Sequence, residues 1–282
     1  MTAKEYLSPL LLTRNDDSHK GDYGHALLVC GCDAMPGAAS LATGAALKSG
    51  CGLVTLHSSA YACQISAVSN PSAILSIDPS SCFSKDEFRL DRYSAVGIGP
   101  GLGKGGQIRT ALASLLERMK EARIPAVLDA DALNIIAEEK YMLDLLPAGS
   151  VMTPHDGELA RLCAPWRNDE EKFFMAAQLA DATGCIVVSK GWHTKVLVPG
   201  GQEPHINPTG NPGMAKGGSG DVLTGLLTGL VARGYPSETA ALAAVWIHGF
   251  AGDCCTEEFG PEAYNSRDLI DNLYKGFKEL YK

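Results

Sequence analysis

Asp221 stands at the edge of the most glycine-dense stretch of the chain, "NPGMAKGGSGDVLTG", which holds Gly213, Gly217, Gly218, Gly220 and Gly225 within fifteen positions. Behind it, Val222, Leu223, Leu226, Leu227, Leu230 and Val231 form a one-sided helical stripe, with Gly234 just past its end. Ser219 to Asp221 therefore open a helix, where several amides lack intrahelical partners. Free amides, the positive end of a helix dipole and closely approaching backbone make a cradle for phosphate. A capped helix alone does not call for three glycines in the four residues 217–220. No Gly-Lys-Ser/Thr closes the stretch, so it is not a Walker loop. It also lies too late in the chain, after no clear strand, to be a dinucleotide fingerprint. A carboxylate at such a place would repel a bound phosphate. It can, however, take the proton from a hydroxyl attacking phosphorus while the amides stabilise charge on the transferring oxygens. The pairing points to phosphoryl transfer to an alcohol.

Other segments suit the same chemistry. "GIGPGLGKGG", residues 97–106, puts six glycines in ten residues between a predicted strand and a helix, where open α/β sheets bind ligands. "VLDADALN" ends a strand with Asp129, Asp131 and Asn134, oxygen donors suited to Mg²⁺ or to substrate hydroxyls, although Asp131 could equally cap a helix. In "VMTPHDGELARL", His155 and Glu158 are three apart at a helix entrance and share one side of it, with capping as the alternative role for Thr153 and Glu158. "VVSKGWHTKV" places Lys190 and Gly191 at a strand end and offers Trp192 and His193 to a nucleotide; alone, it would pass for a hairpin turn.

Short apolar runs alternating with segments of helical period must position these groups. That pattern belongs to a largely parallel sheet covered by helices. The predicted strands are "HALLVCG", "GLVTLHS", "AILSI", "SAVGIG", "PAVLDA", "GSVMT", "CIVVSKG" and "TKVLV". Helices are predicted over 38–49, 106–122, 156–163, 170–183, 219–233, 237–258 and 266–281. Extended pieces follow one another without a helix from Val188 to Gly210, as in an antiparallel margin of the sheet. No linker or repeat divides the sequence, so one domain over 1–282 is expected.

The 282 residues are 45% hydrophobic and 20% charged, the composition of a soluble globular protein with a substantial core. A net charge of −8 without a basic run argues against nucleic acid and anionic membranes as partners. "LSPLLL" is too short for a signal peptide or a membrane span, and a cytoplasmic location follows as the expectation. The nine cysteines are scattered, with no C-x-x-C, and read as ordinary thiols in a reducing compartment rather than as disulfides or metal ligands.

Taken together, "HKGDYGHALLVCG", "MPGAASLA", "GIGPGLG", "LDADALN", "TPHDGELARL", "SKGWHTKV" and "NPGMAKGGSGDVLTG" resemble, in order, the NAD(P)H-hydrate dehydratases of the ribokinase-like superfamily. The likeness runs from Lys20 to about Gly249. It implies a ribokinase-like α/β fold, a mostly parallel central sheet with helices on both faces. It implies a hydro-lyase working by kinase chemistry: a nucleotide, ADP or ATP with Mg²⁺, phosphorylates the C6 hydroxyl of NADHX or NADPHX. Phosphate then leaves with help from the ring-nitrogen lone pair, and proton loss restores NADH or NADPH. Many members carry an N-terminal epimerase domain. This sequence reaches "KGDYGHALL" too soon to hold one, so epimerisation is expected on another chain.

Residue by residue, the resemblance sets Ala39, Gly101 or Gly103, His155 and Asp221 against the hydrated nicotinamide nucleotide, with Asp221 as base. It sets Lys190, Gly191, Trp192, His193, Thr194, Lys216, Gly218 and Gly220 against the adenine nucleotide. Glu158 matches the acidic residue concerned with Mg²⁺ and phosphate, and a homotetramer is suggested. ADP is the expected donor. A kinase for a vitamin or sugar alcohol would share the nucleotide site, and a nucleotide sensor without turnover is the third alternative.

Overall fold

The computed structural model describes residues 3–201 and 203–282. Nine strands form one sheet in the order β3-β2-β1-β4-β5-β6-β7-β8-β9. They are β1 (His25–Val29), β2 (Leu53–Ser59), β3 (Ile74–Asp78), β4 (Ala95–Ile98), β5 (Ala126–Leu128), β6 (Val151–Met152), β7 (Ile186–Ser189), β8 (Lys195–Leu197) and β9 (His205–Ile206). The first seven pair in parallel, and β7–β8 and β8–β9 are antiparallel, where extended pieces succeed one another without a crossover helix. The central strands are buried on both faces, as runs such as "ALLV" require.

The helices are α1 (Ala3–Leu7), α2 (Pro36–Leu47), α3 (Ala60–Ser69), α4 (Gly106–Ala122), α5 (Ala130–Glu138), α6 (Asp156–Leu162), α7 (Asp169–Thr183), α8 (Ser219–Ala232), α9 (Ser237–Ala263) and α10 (Ser266–Leu280). Residues of α2, α3, α8, α9 and α10 build the core on one face of the sheet, and α4 to α7 build it on the other. This is the α/β arrangement with two covered faces. Three helices join the predicted set: the short α1, α3, capped by the Ser59 hydroxyl accepting from Ala62 N at 3.2 Å, and α5. Helix α9 runs five residues beyond its predicted end, with a break at Gly260 where φ is +77°.

Chain direction along the sheet reverses between β1 and β4, since β1 lies beside both β2 and β4. That creates a crevice at the carboxyl ends of these two strands, the place where open sheets receive ligands. Helix α8 runs beneath it, directly on α2. A methyl built on Gly225 would stand 2.0 Å from Ala42 O, and one on Gly229 2.1 Å from Ser49 Oγ. Only glycine permits that approach.

Candidate active site

Consecutive parallel strands β5, β6 and β7 each deliver one group to a common point. Asp129 follows β5, Glu158 lies in the first turn of α6 after β6, and Lys190 follows β7. Lys190 Nζ is 2.5 Å from Asp129 Oδ1 and 3.8 Å from Glu158 Oε2. Asp129 Oδ2 accepts from Thr224 Oγ1 at 2.8 Å, which ties the pair to α8. Both carboxylates are nearly inaccessible, and Lys190 reaches solvent only partly. One ammonium thus serves two buried carboxylates, and burial is the larger influence on Glu158, whose carboxyl it pushes above the usual range.

Asp221 completes the group. Its pKa is raised to about 6, first by burial and then by the negative charge of Asp129, with Lys190 opposing. At the same helix start, Val222 N donates to Gly218 O, whereas the Gly220 and Asp221 amides have no acceptor among the described residues. Gly218 turns the chain into α8 with φ +90°. A methyl on Gly220 would lie 3.4 Å from Asp129 Oδ2 and 3.5 Å from Lys190 Nζ, so the bare backbone borders the ion pair. Amides, a cation and a carboxylate able to accept a proton therefore line one cleft.

These groups line a cleft of about 960 Å³, large enough for a nucleotide. His155, Glu158, Lys190, Gly191, Trp192, His193, Thr194, Lys216, Gly220 and Asp221 all line it. Trp192 is 67% exposed and meets His193 edge-on, a flat surface at the outer end. Two of the three non-glycine residues with positive φ among those described, Ala130 (+48°) and His193 (+57°), are on its wall. Lys216 spends its ammonium inside the protein, donating to Pro261 O, Glu262 O and Tyr264 O at 2.7–3.1 Å. It anchors the glycine-rich loop to the end of α9. Gly218 shapes the turn without reaching the wall, facing Leu41 and Ser266.

Ala39, Gly101 and Gly103 lie apart from that wall, at the β1–β4 crevice. Ala39 is fully buried beneath Gly31, while Gly101 (φ +61°) packs on Met35 and Ala38. Gly31 N donates to Pro100 O at 2.7 Å, which holds the loop after β1 to the loop after β4. Burial first, and then the charges of Asp221 and Asp129, push up the thiol of Cys30, just past the end of β1.

The remaining acidic and polar candidates have structural tasks. Asp131 accepts from Gly103 N at 2.8 Å and braces the glycine loop, and Asn134 accepts from Arg161 at 2.6 Å. Thr153 donates to Leu128 O instead of capping α6. That cap is His155, whose Nδ1 accepts from Gly157 N, while Glu158 Oε2 accepts from His155 N at 2.9 Å. His248 was not singled out by its sequence, being one polar residue in the apolar run "AAVWIHGFAG". It is buried, its pKa lowered to about 4 by burial above all, and its Nε2 donates to Ser219 O at 2.9 Å. This neutral ring pins the first turn of the helix that carries Asp221.

Residues 26–275 match the family model described as NAD(P)H-hydrate dehydratase. The chain belongs to the NAD(P)H-hydrate dehydratase family. Among curated relatives, the ADP-dependent (S)-NAD(P)H-hydrate dehydratase of Bacillus subtilis is 32% identical, with 98% of this chain and 97% of that protein covered. The bifunctional NAD(P)H-hydrate repair enzyme Nnr of Moorella thermoacetica is 38% identical over 92% of this chain. The chain spans about half the length of such bifunctional relatives, 50% in that case. The crystal structure of the Bacillus subtilis ADP/ATP-dependent NAD(P)H-hydrate dehydratase, co-crystallized with ATP/Mg²⁺, superposes with a TM-score of 0.83 at 30% identity, covering 98% and 97% of the two chains. A ribokinase-like superfamily protein of Enterococcus faecalis, with a TM-score of 0.85 at 24% identity, shares the fold.

Proposed function

We propose that the chain is an ADP-dependent hydro-lyase that restores NADH and NADPH from their (6S) hydrates. The observation that carries this is Asp221, a carboxylate raised to about 6 beside free helix amides and the Lys190–Asp129 pair. A base of that strength accepts a proton near neutrality better than an ordinary aspartate would, and still holds its charge at pH 7. The hydroxyl at C6 of the hydrated ring would approach Asp221 from the β1–β4 crevice, past Gly101 and Gly103. The nucleotide would lie in the cleft, its adenine against Trp192, His193 and Thr194 and its phosphates towards Lys190, Gly191 and Gly220. Asp221 takes the hydroxyl proton as oxygen bonds to the terminal phosphorus and the phosphoanhydride P–O bond breaks, its electrons leaving with the shortened nucleotide, while the Gly220 and Asp221 amides face the charge on the transferring oxygens. Phosphate is a far better leaving group than hydroxide, so it departs with the electron pair of the C6–O bond as the ring-nitrogen lone pair moves in, and loss of the C5 proton then forms the C5–C6 double bond and completes the dehydration.

No three His, Cys, Asp or Glu side chains among the described residues converge as a cage for a metal ion. The donor set suits a magnesium ion carried on the nucleotide phosphates, with Glu158 and Asp129 reaching its water shell. Such an ion would supply charge neutralisation on the phosphates. Glu158 and Asp129 on this chain would then serve to hold Lys190 in register. Lys216 and Gly218 support the nucleotide indirectly, by fixing the loop. We also assign a single catalytic domain, a homotetrameric state and a cytoplasmic location, the last supported by nine unpaired thiols. The half-length match to bifunctional relatives supports an epimerase partner outside this sequence.

The test is spectroscopic. Hydrated NADH incubated with the protein, Mg²⁺ and ADP is expected to regain the absorbance of reduced nicotinamide, with ATP a poorer donor. No recovery with either nucleotide refutes the assignment, and a stable phosphorylated product from a vitamin or sugar alcohol would make the protein a kinase.

A further inference from the structure

His248 interrupts the apolar run of α9 that joins the core beside α8. It is 8% exposed, and it lies on the wall of the large cleft. Its two ring nitrogens are used unequally. Nε2 is 2.9 Å from Ser219 O and 3.4 Å from Ser219 Oγ. A carbonyl can only accept, so Nε2 carries the proton of the ring. Burial above all lowers the pKa to about 4, so the ring is neutral and Nδ1 is a bare lone pair. Among the described residues no group donates to Nδ1. The fully enclosed polar side-chain atoms without a partner are Thr43 Oγ1, Ser58 Oγ and Ser189 Oγ among those residues. Nδ1 is not one of them, so it opens onto the cleft. Helix α9 gives that cleft Val245, His248 and Gly249, which makes Nδ1 the only side-chain acceptor on its wall. A nearly buried acceptor of this kind costs stability unless a donor meets it.

We infer that His248 Nδ1 accepts a hydrogen bond from the nucleoside half of the bound nucleotide, from a ribose hydroxyl or from the exocyclic amine of the base. Ionised phosphate oxygens only accept, so the phosphates cannot be its partner. The ring is bonded to Ser219, next to the Gly220 amide proposed to face the phosphates, so the group that reaches Nδ1 is the part of the nucleotide adjoining them. His248 thereby reads the nucleotide with one nitrogen and pins the start of α8 with the other. The inference rests on the cleft holding a nucleotide and needs nothing from the dehydration step.

Calorimetric binding in Mg²⁺, without the hydrate, keeps the test apart from turnover. Inosine diphosphate lacks the amine, and 2′-deoxy-ADP and 3′-deoxy-ADP each lack one hydroxyl. At least one of the three should bind about 3- to 10-fold more weakly than ADP. The analogue whose deficit disappears in His248→Phe names the donor. A purely structural histidine would change all affinities together and leave the ratio intact. Nitrogen NMR of the unaltered protein, which does not depend on a variant folding, should show an unprotonated Nδ1 whose resonance moves upfield as ADP engages the lone pair. Three analogues that bind like ADP overturn the inference, as does a ratio that survives His248→Phe. A protonated Nδ1, or a resonance that ignores ADP, overturns it too, and all four results leave the nucleotide cleft standing. Failure of ADP to bind at all overturns the cleft's assignment as well.

Discussion

Two glycine-rich loops flank the site, and they are built for different ends. The loop at 97–106 carries Gly99, Gly101 and Gly103 at positive φ, Met35 and Ala38 crowd Gly101, and its charged neighbour Asp131 is consumed in holding Gly103 N. The loop at 210–220 leads into free amides, with Asp221 and the Lys190–Asp129 pair beside it. One shapes a crevice and the other handles charge. Glycine content alone reports only that backbone comes close to something. What the loop does there depends on which ionisable groups arrive from other strands.

The sharpest way to break this contrast is Asp221→Asn. Turnover should fall by roughly 10²- to 10⁴-fold while nucleotide affinity is unchanged or improved, because the charge facing phosphate is gone. Loss of nucleotide binding instead would make Asp221 a helix cap and dissolve the distinction. The same variant should melt at a higher temperature at neutral pH. Folding raises the Asp221 pKa from 3.8 to about 6, so the folded state holds the proton more tightly and ionisation works against folding. That penalty is absent below about pH 4, grows between 4 and 6, and is complete above 6. Removing it should yield about 1–3 kcal/mol above pH 6 and nothing at pH 3.5, measured by urea titration.

Lys190→Met comes next. It leaves Asp129 and Glu158 buried without their cation, and stability should drop by about 2–4 kcal/mol with nucleotide affinity lost as well. A variant as stable as the parent would show that the carboxylates find other partners. The smallest effect belongs to the shaping loop. Gly101→Ala sets a methyl 2.8 Å from Ala38 Cβ at φ +61° and should cost about 1–2 kcal/mol. Its KM for the hydrate should rise while nucleotide binding stays as it was, which sharpens the division between the two loops.

Periodicity made most of the sheet and the long helices legible, α4 to the residue, because its apolar face repeats cleanly through Ile108, Leu112, Leu115 and Met119. Helix α3 was hidden because its outward stripe is as apolar as its inward one, so no amphipathic signal survives. Helix α5 was hidden because it starts immediately after β5, through Ala130 at positive φ, a conformation no glycine advertises. The site was half legible. Motifs place Asp221, Lys190 and Glu158 at strand ends and a helix start. No local pattern pairs Asp129 with a lysine 61 positions away, or aims His248 at Ser219 O. Those are consequences of strand order.

The bare contact of Gly225 with the α2 backbone reaches further than packing. At Gly225 the helix that carries Asp221, the proposed proton acceptor, rests directly on the backbone of the helix whose first turn meets the Gly101 loop. The two walls are thereby soldered at a fixed spacing, and aim does not rely on loops settling at each turnover. Even an alanine at 225 would work as a shim: placed under α8, it would tilt Asp221 away from the oxygen it is proposed to deprotonate, without lining the cleft itself.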